Sequence, residues 1–231
     1  MKIVTLNIRH GGGRRIPGIL DYLRSLDADA LVLTEFRENS NAPALRTGLA
    51  EAGLVHFAGA SVDSAENSVC IISRLPFAPR TYPKLETVDR HRLLTALFDD
   101  LAIHGVYFSQ NRAKAGLLRF LASREHELME DRQIIIGDFN TGLHHMDEAG
   151  ATFHCTGEFM ALSTSGLVDS WRSRNPDVRE HSWFSSYGNG FRIDHVFATT
   201  SADASIQAIT YDHVPRETGI TDHSAMVVEL G

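Results

Sequence analysis

Short apolar runs along this chain repeatedly end on, or are entered from, a side chain able to carry charge or hold a metal ion. Asn7 follows Val4 and Leu6, and Glu35 follows Leu31-Val32-Leu33-Thr34. Tyr107 closes Ile103-His104-Gly105-Val106, and Gly137-Asp138-Phe139-Asn140 follows Ile134-Ile135-Ile136. Asp194 lies within Arg192-Ile193-Asp194-His195-Val196-Phe197, and Thr221-Asp222-His223-Ser224 precedes Ala225-Met226-Val227-Val228. Strand ends gathered at one sheet edge make a rigid rim for reactive groups. This rim would hold the carboxylates of Glu35, Asp138, Asp194 and Asp222, the amides of Asn7 and Asn140, the Tyr107 phenol and the His223 imidazole. Carboxylates crowded together raise one another's pKa unless a divalent cation sits among them. An oxygen-rich set without a thiolate suits a hard ion, Mg2+ or Mn2+. A single Asp or Asn in such a place is ordinarily a turn residue or a helix cap, so the reading rests on the set. His144, His145, His154 and Cys155 follow no spacing known for zinc.

The elements that must position these groups are readable in outline. Strands are expected at Lys2 to Ile8, Ala30 to Thr34, Ser68 to Ser73, Leu93 to Phe98, Ala102 to Phe108, Gln133 to Gly137, Arg192 to Ala198 and Ala225 to Leu230. One helix carries Ile16, Ile19, Leu20, Leu23 and Leu26, with Pro17 suited to its first turn. A second carries Leu117, Leu118, Leu121 and Leu128. Strands outnumber helices and connections range from hairpins to full crossovers, so a mixed sheet or pair of sheets with helices outside fits best. With no repeat and no linker-like stretch, residues 1–231 read as one α/β domain.

Composition sets the bounds. The 231 residues carry 22 basic and 29 acidic side chains, a formal charge of −7, and 43% are hydrophobic. Extended disorder, collagen and coiled coil are excluded, and a chain of this length buries enough surface to fold without disulfides. Its two cysteines make no disulfide framework. No stretch has the length or apolarity of a signal peptide or a membrane span, which makes the cytoplasm the expected compartment. The acidic balance argues against loose binding to nucleic acid, yet leaves open an enzyme that takes a phosphodiester into one locally basic groove. Of the 22 basic residues 19 are arginine, the better bidentate partner for phosphate.

In order along the chain, Thr5-Leu6-Asn7-Ile8, Leu33-Thr34-Glu35-Phe36, Gly137-Asp138-Phe139-Asn140, Arg192-Ile193-Asp194 and Thr221-Asp222-His223-Ser224 resemble the signature blocks of the endonuclease/exonuclease/phosphatase superfamily. Gly105-Val106-Tyr107-Phe108-Ser109-Gln110, Gly166-Leu167-Val168-Asp169-Ser170-Trp171-Arg172 and His181-Ser182-Trp183-Phe184 are similar to the exonuclease III type of abasic-site endonuclease. The resemblance implies a four-layered α-β-β-α sandwich of two mixed sheets. It also implies a divalent-metal-dependent phosphodiesterase acting on DNA, cutting 5′ to abasic sites or trimming 3′ ends. Other branches of the superfamily act on small phosphoesters, phosphoinositides or sphingomyelin, which is the alternative.

By the same resemblance, Glu35 is the main metal ligand, with Asn7 and Asp222 at the ion or at the residues that hold it. Asp138, positioned by Asn140, is the general base, and Asp194 holds His223 as an imidazolium against a phosphate oxygen. The reverse assignment, with His223 as base and Asp138 as acid or ligand, is equally open to sequence. Tyr107 would contact the phosphate or the leaving oxygen, with Gln110 nearby. Trp183 and Phe184 would form an apolar pocket for a base-free deoxyribose, while Arg112, with Arg9, Arg14, Arg15, Arg90, Arg92 and Lys114, would follow the DNA backbone. Ser109 stands where the family usually has proline, and the stretch from Asn140 to Leu167 is short. Gly11-Gly12-Gly13 lacks the spacing of a dinucleotide fingerprint and reads as a loop near the site.

Overall fold

The structure, a computed structural model, describes residues 1–61, 63–85, 89–123 and 131–231. Leu128 of the second expected helix lies outside them. Two six-stranded sheets dominate. The first contains β1 (Lys2–Asn7), β2 (Ala30–Phe36), β3 (His56–Gly59), β4 (Ser68–Ser73), β13 (Ile206–Asp212) and β14 (Ala225–Leu230), in the order β13-β14-β1-β2-β4-β3. The second contains β5 (Ala78–Arg80), β6 (Leu93–Leu97), β7 (Ala102–Tyr107), β8 (Gln133–Asp138), β9 (Val168–Asp169) and β12 (Asp194–Ala198), in the order β5-β6-β7-β8-β12-β9. A short ribbon pairs β10 (Trp183–Phe184) with β11 (Gly190–Phe191).

Both sheets are mixed, and they pack face to face. Ile3, Val32, Val69 and Ile71 of the first meet Leu94, Ile103, Ile134, Ile136 and Val196 of the second in a dry core. These aliphatic residues alternate with a second apolar set on each sheet's outer face, which helices must cover. Over the first sheet lie α1 (Ile16–Ser25) and α2 (Ala42–Ala50), which seal Val4, Leu6, Leu31, Leu33 and Cys70. Over the second lie α3 (Ala115–Ala122) and α4 (Thr156–Thr164), closing on Val106, Phe108, Ile135, Phe139 and Phe197. The result is the four-layered sandwich expected. Short helices α5 (Ser170–Arg174), α6 (Thr200–Ala204) and α7 (Val214–Glu217), with 3-10 turns at Gly13–Arg15 and Asn111–Lys114, complete the described elements.

The strands read from sequence are present, with β12 starting at Asp194 rather than Arg192 and β2 running on to Phe36. The edge strands β3, β5, β9 and β13 lack the continuous apolar runs of central strands, which is why pattern alone passes over them. Among the described residues no helix is long and apolar enough to cross a membrane.

Candidate active site

Strand direction brings the polar residues to one edge. β1 and β2 run parallel, so Asn7 and Glu35 leave the first sheet together, and β14 returns antiparallel so that Asp222 and His223 enter there. In the second sheet β7 and β8 are parallel and β12 is antiparallel, which sets Tyr107, Asp138 and Asp194 side by side in one register row. Gly137 makes that row possible. Its φ is +147°, and a Cβ there would lie 2.0 Å from the Val106 carbonyl oxygen, so only glycine lets β8 approach β7 this closely before Asp138. Glu35 sits on a β-bulge, where the register of β2 against β4 shifts between Thr34 and Phe36 and φ is +53°. A bulge re-aims a side chain, and this one sends the Glu35 carboxylate over the seam between the sheets.

The side chains interlock across that seam. Asn7 Nδ2 donates to Glu35 Oε1 at 3.1 Å and to Asp138 Oδ2 at 2.9 Å, joining the two sheets. Its oxygen instead accepts from the Arg9 amide at 2.8 Å, so Asn7 orients carboxylates rather than offering an oxygen among them. Asp138 Oδ1 accepts from the Asn140 amide at 2.8 Å, and the Asn140 side chain donates to Phe108 O and to Asp138 Oδ2. His223 Nδ1 lies 2.9 Å from Asp194 Oδ2. The Ser182 hydroxyl accepts from the backbone amides of Ile193 and Asp194, holding that end of β12 in place.

Electrostatics separates the roles. Burial and the neighbouring Asp194 carboxylate push the Asp138 carboxyl up to about 7, against the pull of His223 and the Asn140 amide. Burial works against charge on His223, yet Asp194 overrules it and raises the imidazolium to about 10. Tyr107 is lifted to about 12 by burial and by the charges of Glu35 and Asp138, so its phenol keeps its proton. The ligand atoms of Asp138, Asp194 and His223 lie within 4.8 Å of one another. With Glu35 added through Asn7, the cluster has more carboxylate than imidazolium charge. That surplus of hard oxygen donors is the condition under which a divalent cation fits.

Asp222 stands apart from this knot, partly exposed, with Oδ2 3.6 Å from Arg9 Nε. Beside Asn140 opens a cleft of about 220 Å³ lined by Gln110, Lys114, His154, Trp183 and Phe191 among others. Phe184 is not part of it. Successive residues of a strand face opposite sides, and Phe184 lies 39% exposed under the Arg216 guanidinium, 4.6 Å from its ring centre. The partner of Trp183 is Phe191, directly across the ribbon, with ring centres 5.6 Å apart. Arg112 and Arg14 are exposed. Lys114, read as a surface contact to DNA, is instead buried and donates to the Asn140 carbonyl, with burial lowering its ammonium from the usual range. Arg15 spends its donors on the carbonyls of Ile8, Arg9 and Ile220, Arg90 donates to Leu85 O, and Arg92 covers the Tyr107 ring.

Sequence reasoning passed over Asn67 and His10. Asn67 Nδ2 donates to Glu35 Oε2 at 3.0 Å and to the Tyr107 hydroxyl at 3.4 Å. It immediately precedes β4, which runs antiparallel to β2, so its place at the same edge was readable from strand direction. The histidines of the connecting loop hold no metal cluster among the described residues. His144 Nδ1 meets Glu148 Oε1 at 2.7 Å, and the Glu148 carboxylate also accepts from the amides of Thr152 and Phe153, which shapes the cleft wall.

The Endonuclease/Exonuclease/phosphatase family matches residues 4–223. The chain belongs to this family. Its fold is shared with a 3′ phosphatase, NExo, from Neisseria bound to a product DNA hairpin, at 22% identity and a TM-score of 0.85 over 100% of this chain and 99% of that one. The 3′-5′ exonuclease NExo from Neisseria meningitidis matches at 23% identity and a TM-score of 0.82, and an AP endonuclease from Archaeoglobus fulgidus at 19% and 0.85, each over 100% of this chain and 99% of the other. At these identities the likeness is one of fold. The polar edge described above occupies that fold, in a family named for enzymes that break phosphoester bonds.

Proposed function

We propose that this chain, acting as one catalytic domain over residues 1–231, is a divalent-metal-dependent DNA nuclease that cuts 5′ to abasic sites or trims 3′ ends. The observation that carries the proposal is the buried carboxylate surplus of Glu35, Asp138 and Asp194 beside a cleft walled by Trp183 and Phe191. Similarity to a 3′ phosphatase bound to a product DNA hairpin, a 3′-5′ exonuclease and an AP endonuclease supports the substrate class.

Glu35 is the residue best placed to hold the ion, Mg2+ or Mn2+, with Asn7 and Asn67 orienting its two oxygens. When bound, the ion neutralises phosphate charge and offsets the repulsion between the carboxylates. Asp138, with a pKa of about 7, is poised as the general base. It takes a proton from water as the water oxygen bonds to phosphorus and the bond from phosphorus to the 3′ oxygen breaks. His223, held as an imidazolium by Asp194, donates to a non-bridging oxygen, and Tyr107 donates to the phosphate or the leaving oxygen. A carboxyl poised near 7 beside an imidazole that Asp194 holds charged supports Asp138, rather than His223, as the base. Trp183 and Phe191, with Gln110 at the rim, receive the base-free sugar, and exposed Arg112 and Arg14 face the backbone.

The test follows a fluorescent duplex with one central abasic-site analogue beside an intact duplex, with Mg2+, with chelator, and with Asp138→Ala. A single metal-dependent cut 5′ to the lesion, or a ladder from the 3′ end, is expected, and neither with the variant. Folded protein that cleaves neither duplex but hydrolyses a small phosphoester would overturn the DNA reading.

A further inference from the structure

The side chains behind Glu35 and Tyr107 limit what those two groups can do. β2 and β4 are antiparallel with Phe36 opposite Ser68, so Arg37 and Asn67, the next residue on either side, stand together just past the paired strands. Arg37 Nε donates to Asn67 Oδ1 at 2.5 Å. A guanidinium only donates and a carboxylate only accepts, so the amide between Arg37 and Glu35 has one orientation. Its Nδ2 lies 3.0 Å from Glu35 Oε2 and faces the Tyr107 hydroxyl at 3.4 Å.

The two groups that Asn67 faces depend on it unequally. Directly after β1 a turn holds Arg9, His10, Gly11, Gly12 and Gly13 at positive φ, from +53° to +77°, and delivers His10 to Glu35. Glu35 Oε2 accepts from the His10 amide and from the His10 Nδ1–H, each at 2.9 Å. Donors that converge on one oxygen lie side by side, and His10 Nδ1 is accordingly 3.1 Å from Asn67 Nδ2. Glu35 therefore keeps two donors whatever Asn67 does. Tyr107 has no such surplus, because among the described residues its hydroxyl meets Asn67 alone. An amide NH2 group takes no proton, so the Tyr107 O–H finds no acceptor there, and a hydroxyl that accepts one hydrogen bond is polarised as a donor of the next. The nearest alternative acceptor would be Asn67 Oδ1 if the amide turned, and that oxygen is the one Arg37 holds.

We propose that Arg37 is a positioning residue: by holding Asn67 Oδ1 it keeps that oxygen from taking the Tyr107 proton, which stays free for an oxygen of the substrate phosphodiester. Arg37 acts through Asn67. The inference rests on the reading of Tyr107 as a donor to substrate.

The test is a double-mutant cycle. Wild type, Arg37→Met, Tyr107→Phe and the double variant are compared at saturating Mg2+ on the abasic duplex and, in parallel, on glycerophosphocholine, a small phosphodiester, so that a failure of the DNA reading is separate from a failure of the inference. On the substrate that wild type cleaves, Arg37→Met is expected to lower kcat about tenfold and to leave KM within about twofold. Arg37→Lys, which can still donate to Asn67, should come within about threefold of wild type. In the Tyr107→Phe background Arg37→Met should change kcat less than about twofold. Because Arg37 Nη2 also lies 3.1 Å from His10 Nδ1, Mg2+ dependence separates a route through His10 and Glu35 from the route through Tyr107. An unchanged kcat for Arg37→Met, an equal loss in both backgrounds, or a loss that excess Mg2+ repairs overturns the inference and leaves Tyr107 in place. Tyr107→Phe with the kcat of wild type, or wild type that cleaves neither substrate, overturns the inference together with the reading of Tyr107.

Discussion

Two buried clusters of aspartates lie at the same end of β12 and differ in how their charge is balanced. Asp147 and Asp169 are gripped by Arg192, whose Nε and Nη2 donate to Asp147 at 2.6 and 3.3 Å and whose Nη1 and Nη2 donate to Asp169 at 3.2 and 2.6 Å. Arg172 adds a bond to Asp147 at 2.8 Å, and Asp169 also caps α5 by accepting from the Arg172 amide. Burial alone would raise Asp169, but Arg192 holds it well below the usual carboxylate range, and Asp147 is lowered in the same way. Two residues further along, Asp194 shares one imidazolium with Asp138, and Asp138 is pushed up instead. The balanced cluster ties the 141–193 segment to the sheet. The unbalanced one is a place where charge is left to be met by something from outside the chain.

The sharpest way to break this contrast is to neutralise one member of each cluster. Asp138→Asn keeps the shape and removes the proposed base, so turnover is expected to fall about 10²- to 10⁴-fold, with an unchanged circular dichroism spectrum. Near wild-type turnover on the abasic duplex would show that Asp138 is not the base.

Arg192→Met should do the reverse. Removing the cation leaves the buried Asp169 carboxylate without a guanidinium and Asp147 with Arg172 alone, and the expected loss is about 3–5 kcal/mol of stability, read by urea unfolding. A loss below about 1 kcal/mol would mean that the balanced cluster contributes little to the fold.

The pH dependence of stability sharpens the same point, because the clusters differ in sign. Asp138 is raised from its ordinary 3.8 to about 7, so the native state holds a proton that the unfolded chain releases. Its effect is to lower stability progressively between about pH 4 and 7. Asp138→Asn should therefore match wild type near pH 4 and exceed it at pH 8. His223, raised from 6.5 to about 10, contributes stability fully present below pH 6.5 and lost as pH rises through 10. The aspartates on Arg192 are depressed, and their contribution disappears only on acidification below the ordinary range. A thermal melt series from pH 4 to 10 on wild type and Asp138→Asn tests this, and a variant less stable than wild type at pH 8 would contradict the assignment.

How much of this was legible in the sequence depends on what fixed each residue's place. The central strands and the edge they share follow from buried, near-continuous apolar runs, and Asn7, Tyr107, Asp138 and Asp194 inherit their positions from strand ends. His10 and Glu35 depend on a left-handed turn and a bulge, which leave no mark in an apolar pattern. Asn67 stands directly before the Ser68 to Ser73 run, but a lone amide in a polar turn carries no signal beyond that of a turn residue. Lys114 shows the limit of reading charge as exposure, since its ammonium is drawn inward by a carbonyl that left-handed Asn140, φ +50°, turns toward it. Trp183 and Phe184 were grouped through the resemblance to the exonuclease III type, although the period of two in a strand puts neighbours on opposite faces.

The two faces of that ribbon yield the smallest test and extend the comparison to the surface. If substrate approaches the unbalanced cluster, its apolar part must rest on the face of the ribbon that carries Trp183 and Phe191 beside Asn140. Phe191 is already half-buried against Phe153 and Trp183, so a complex can cover only the rest of its ring, about half of the 1.5–3 kcal/mol of a whole side chain, and Phe191→Ala should raise KM for the abasic duplex about three- to tenfold and leave kcat nearly unchanged. Phe184→Ala, on the opposite face with Arg216, should shift KM less than about twofold. Equal effects of the two substitutions would place the sugar across the tip of the ribbon rather than in the cleft. A larger effect from Phe184 would move the binding face to the side of Arg216, away from the carboxylate surplus, and the link between unbalanced charge and substrate position would fail.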